Sequence, residues 1–128
     1  MPTARIRLVV ALGALSCLVT RCSSLAPAGG ALSVVAIPPA LHLTNQTALP
    51  VYTFVIDRST LALTDWAPCS DPNSCQSIAP GATPVLPYSG IAGYSAATRE
   101  AIVYWWHLEP QGGGGFQPDS IRAVVTAL

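Results

Sequence analysis

Lysine is missing altogether from this chain of 128 residues, and charge of either sign is scarce, at 9% of the sequence against a typical ~25%. Of the six basic residues, all arginine, Arg5, Arg7 and Arg21 lie close to the start. Beyond them Arg58, Arg99 and Arg122 stand against Asp57, Asp65, Asp71, Glu100, Glu109 and Asp119, a balance near −3. Nucleic-acid binding needs clustered Arg or Lys to release counterions, and this composition excludes it. Methionine occurs only as Met1, which leaves a cupredoxin-type His₂Cys copper site without its usual axial ligand. No G-x-S-x-G elbow frames a serine nucleophile, and Tyr88-Ser89-Gly90 does not make one. Gly112–Gly115 lacks the Lys-Ser/Thr that completes a phosphate loop. The C-x₂-C spacing of a zinc knuckle is absent too.

What is present begins with a leader. Met1–Arg7 is basic without acids, and Leu8–Val19 is continuously apolar. That run falls short of the ~20 residues needed to span a bilayer permanently. A basic start before a short apolar run is the pattern of a secretion signal. Residues 1–22 are expected to be the signal, with cleavage as late as 28, residues 23–30 a tether, and residues 31–128 one domain. Three ways of processing stand side by side. Ala26-Pro27-Ala28 offers an A-x-A site. Ala14-Leu15-Ser16-Cys17 resembles a bacterial lipobox, which implies lipidation of Cys17. Leu18–Ser24 resembles one around Cys22, with Arg21 where a small residue is usual.

From Ala31 the texture changes to short apolar runs between turn residues. Ala31–Ile37 stops at Pro38-Pro39, and Ala40–Thr44 closes at Asn45-Gln46-Thr47. Val51–Ile56 is apolar on both faces and reads as a central strand. Leu61–Thr64 reads as an edge strand, Thr83–Tyr88 as an edge or irregular strand, Arg99–Leu108 as a second strong strand and Ser120–Leu128 as the last. Pro110–Gly115 is the loop of a hairpin. About seven short strands without an amphipathic helix predict an all-β, two-sheet antiparallel sandwich.

Leu43-Thr44-Asn45-Gln46-Thr47, then Pro50-Val51, then Ile78-Ala79-Pro80-Gly81 resemble a cadence of bacterial immunoglobulin-like modules. In those, an N-x-T turn follows an early strand and a P-G turn precedes a later one. The resemblance covers Ala40 to Val85 and implies a sandwich, with no activity attached.

Cys69 and Cys75, five residues apart in a polar loop, are expected to form a disulfide in an exported chain. His42 and His107 lie within strands and read as hydrogen-bonded sheet histidines rather than metal ligands. Asn45-Gln46-Thr47 fits a glycosylation sequon but reads as a turn. Trp105 and Trp106 must face opposite ways. Alternation with Ala101 and Val103 assigns Trp105 to the core. Trp106 then shares the outer face with Tyr104, either as an exposed binding patch or under cover of Ser89–Ala97. The expectation is an exported, lipid-anchored bacterial envelope protein of the periplasm, outer membrane or cell surface. Its role is non-enzymatic, structural or binding, with an envelope protein or glycan as partner and no cofactor. A carbohydrate-binding module using outer-face aromatics is the alternative.

Overall fold

The computed structural model describes residues 31–128, so the leader, the tether, Cys17 and Cys22 lie outside the described residues. Among the described residues nine strands form: β1 (Leu32–Ile37), β2 (Ala40–Asn45), β3 (Val51–Asp57), β4 (Ser77–Ile78), β5 (Val85–Pro87), β6 (Glu100–Trp106), β7 (Leu108–Pro110), β8 (Phe116–Pro118) and β9 (Arg122–Ala127). All pair antiparallel, in a three-stranded sheet β1-β2-β5, a four-stranded sheet β4-β3-β6-β9 and a separate β7-β8 hairpin. The two larger sheets are the layers of a small β-sandwich, with the chain crossing between them after β2, β4 and β5. Among the described residues, no helix is long and apolar enough to cross a membrane.

Alternation builds the core. Leu32, Leu41 and Leu43 of one sheet meet Val51, Val55, Ala101, Val103 and Trp105 of the other, with Ile78, Tyr88 and Ile91 closing the space. β3 is central, as its two apolar faces require, and runs between β4 and β6 with Val55 opposite Val103. Its far end continues against the loop, where Ala92 N–H donates to Val55 O and Asp57 N–H to Ala92 O. Gly93 follows at φ 73°, and a Cβ there would meet the Thr60 hydroxyl oxygen at 2.6 Å. Only glycine meets both conditions without rearrangement.

Two segments depart from the sequence reading. Leu61–Leu63 is a 3-10 turn rather than an edge strand. Thr60 N–H bonds back to Asp57 O and the Thr64 hydroxyl to Thr60 O, so this stretch closes on itself instead of pairing. Arg99–Leu108 is not one strand but β6 and β7, interrupted at His107. The His107 N–H donates to the Asp119 carboxylate at 2.9 Å, and its carbonyl accepts from Asp119 N–H at 3.0 Å. A backbone group held this way leaves the ladder, and β7 turns out to pair with β8.

Candidate functional site

The outer face of the four-stranded sheet is aromatic because of register. Tyr52 lies opposite Trp106 and Phe54 opposite Tyr104. Onto these comes Trp66, from the loop after the 3-10 turn. Its ring centroid sits 4.8 Å from Phe54, 4.7 Å from Tyr104 and 6.2 Å from Trp106. The Cys69–Cys75 disulfide closes this loop, with a Cα–Cα distance of 6.0 Å. Asp71 shapes its interior, accepting from Asn73 N–H and the Ser74 hydroxyl, each at 2.9 Å. Those two hydrogen bonds, outweighing desolvation, hold its carboxyl below the usual carboxylate range.

Trp105 is in the inter-sheet core, as alternation expects. Trp106 points outward but is only 2% exposed, and its indole N–H donates to Cys69 O at 3.0 Å. The exposed-patch reading of Trp106 is therefore corrected: it anchors a roof and offers no surface to a ligand. The cover also differs from expectation, coming from Trp66 and the disulfide loop rather than from Ser89–Ala97. What stays accessible is a shelf of three half-buried rings, Phe54, Trp66 and Tyr104. Trp66 stands among the aromatics near predicted loops in the sequence, and its place beside a short Cys–Cys loop is the one local signal for its role as cover.

A second constellation joins turns far apart in the chain. The Asn45 amide is fully buried; Nδ2 donates to the carbonyls of Leu49 and Ile78, each at 2.8 Å, and Oδ1 accepts from Thr47 N–H and its hydroxyl. Gly81 N–H donates to Asn45 O at 2.7 Å, so the N-x-T turn and the P-G turn are one structure. Burial of the amide rules out its use as a glycosylation acceptor in the folded chain. Thr47 Oγ1 lies 3.0 Å from His107 Nε2, and His107 Nδ1 lies 3.2 Å from Asp119 Oδ2. Arg122 donates to Asp119 at 3.1 Å and stacks its guanidinium 4.5 Å from the Trp105 ring centroid. Desolvation raises the Asp119 carboxyl, but the backbone N–H groups of His107 and Ser120, then Arg122 and the His107 ring, outweigh it and hold the pKa at about 2.

Thr47, His107 and Asp119 lie in the order of an acyl-transfer triad. The surroundings of the hydroxyl decide against that use. Oγ1 already touches Asn45 Oδ1 at 2.7 Å, Leu49 O at 2.9 Å and the His107 ring, and Thr47 is buried. No face of this oxygen is left for an acyl carbon. The set is a strut between β2, β6 and the start of β9.

The outer face of the three-stranded sheet has a different character. Register sets Val35, His42 and Val85 in one row and Ile37, Ala40 and Pro87 in the next. Val35, Ile37 and Val85 are each at least half exposed. His42 is the sole titratable side chain in these rows, and β1 is a sheet edge. At the far end of the molecule, a shallow hollow of ≈460 Å³ is bounded by Asp57, Arg58, Ser59, Ala97, Arg99 and Glu100. Its charges are committed. Arg58 pairs with Glu100 at 2.8 Å, Arg99 donates to the Ala96 and Thr98 carbonyls, and the Ser59 and Thr60 hydroxyls hold the Asp57 carboxyl below its usual range. Among the described residues, no three of His, Cys, Asp and Glu converge as metal ligands.

No protein-family model, no curated protein and no solved structure matches this chain.

Proposed function

We propose that this chain is an exported, lipid-anchored bacterial envelope protein whose sandwich serves as a non-enzymatic binding module for another envelope protein. The observation that carries the reading is the outer face of the three-stranded sheet. Two rows of side chains there, Val35–His42–Val85 and Ile37–Ala40–Pro87, are apolar apart from one imidazole. They lead to an edge strand whose outer N–H and C=O groups have no sheet partner. A partner strand laid along β1 would gain main-chain hydrogen bonds and bury both rows. β1 carries no Lys, no other charge and no internal Pro, the usual devices that discourage such pairing. The Cys69–Cys75 disulfide is compatible with an oxidising compartment.

The test is site-specific photocrosslinking in intact cells, with probes at Val35, Val85 and the exposed Leu63. The reading expects one discrete protein adduct from positions 35 and 85, none from 63, and its loss in Val35→Glu. Diffuse, equal labelling from all three positions overturns it.

A carbohydrate-binding role is favoured by a separate observation, the half-buried Phe54–Trp66–Tyr104 shelf, whose rings could stack on a sugar face. Trp66→Ala should then abolish tryptophan-fluorescence changes on titration with cell-wall glycans. Absence of any such change in the native protein removes this second reading.

A further inference from the structure

One pole of the sandwich gathers the start of β1, the end of β2, the start of β3, the end of β6 and the β7–β8 hairpin. The described chain enters there, with Ala31 O accepting from Gln46 N–H at 3.1 Å. Three residues on, Leu49 is 56% exposed, and Phe116 at the hairpin is 43% exposed. With Pro50, Tyr52, Pro72 and Leu108 they line an apolar groove of ≈190 Å³. Such residues together on one end of a small domain mark a contact surface.

We infer that this pole lies against a lipid bilayer, with Leu49 and Phe116 at the boundary between headgroups and acyl chains. The inference rests on the lipid-anchored reading above and goes beyond it by orienting the domain. A chain anchored at Cys17 or Cys22 reaches Ala31 through fourteen or nine residues, which span at most ~50 Å or ~30 Å. The pole where the chain enters is therefore the one held nearest the membrane, and it is also where the exposed Leu49 and Phe116 lie. Arg58 and Arg99 lie at the opposite pole; Arg122, beside the end of β6, is paired with Asp119, and Asp71 and Glu109 flank the groove region. With no lysine in the chain, the contact is apolar and suits zwitterionic headgroups rather than anionic ones.

The test uses the full lipidated protein in vesicles of phosphatidylethanolamine and phosphatidylcholine. Nitroxide labels are placed at Phe116→Cys and, at the far pole, Ala96→Cys. The label at 116 should be several-fold less accessible to an aqueous nickel chelate than the label at 96, and more accessible to oxygen. Equal nickel access at both positions, in protein that sediments with the vesicles, overturns the orientation and leaves the anchor standing. Failure to sediment overturns the anchor and the orientation together. Shielding of 116 without vesicles also overturns it, and would assign the groove to a second copy of the chain.

Discussion

The indole N–H of Trp106 donates to the carbonyl oxygen of Cys69 at 3.0 Å. This bond makes the disulfide loop and the four-stranded sheet one unit. Trp66, three residues before the half-cystine, stacks on Phe54 and lies tilted against Tyr104. The loop thus works as the outer wall of a second apolar layer, outside the core between the sheets.

Reduction of Cys69–Cys75 is expected to lower stability by about 2 kcal/mol, the loop-closure entropy of so short a ring. The Trp66 roof should loosen at the same time. Urea unfolding with and without reductant measures the first effect, and acrylamide quenching of tryptophan fluorescence the second. Unchanged quenching after reduction would show that stacking alone holds the roof.

Trp105→Ala and Trp106→Ala are both expected to destabilise by about 3–5 kcal/mol, because each ring is buried, one between the sheets and one beneath the roof. Trp106→Phe keeps most of the bulk but loses the hydrogen bond to Cys69, for about 1 kcal/mol. Equilibrium unfolding of the three variants checks this. A near-neutral Trp106→Ala would mean that the roof is open in solution.

Asp119 is held at a pKa of about 2, below its ordinary value of 3.8. A carboxyl depressed by folding contributes stability that is complete above its unfolded pKa and is lost as pH falls through the folded one. Protonation should therefore remove about 2 kcal/mol between roughly pH 5 and pH 2. Asp119→Asn should be less stable at neutral pH and show a shallower loss over that window. Some acid sensitivity should remain, since the Asp57 and Asp71 carboxyls are depressed as well. Thermal melts of both proteins from pH 7 to 2 decide it; parallel curves would contradict the assignment.

Tyr88 packs into the core with its hydroxyl buried and without a hydrogen-bond partner. An unpaired buried hydroxyl costs free energy that its removal recovers. Tyr88→Phe is expected to stabilise the domain by up to about 1 kcal/mol. Differential scanning calorimetry checks the direction, and a loss of stability would show that the hydroxyl has a partner in solution.

The sequence by itself determined the class of fold and the facing of its strongest strands. Val51–Asp57 and Glu100–Trp106 are rich in β-branched and aromatic residues on both faces, and a pleat sends adjacent side chains to opposite faces, so Trp105 and Trp106 had to separate. It also pointed to the disulfide, because two cysteines with five residues between them in a turn-rich loop lie within reach of one another and have no metal-ligand spacing around them. Only the tertiary structure decided what covers Trp106. The cover comes from a residue 40 positions away whose placement depends on how the loop closes, and no local pattern encodes that. The same holds for the Asn45–Thr47–His107–Asp119 strut, whose Thr47–His107 contact joins residues 60 apart in sequence. Propensity and periodicity act over one turn or one strand. Contacts across such distances arise when two sheets pack and bring their ends together, so they decide which aromatic ring is wall and which remains surface.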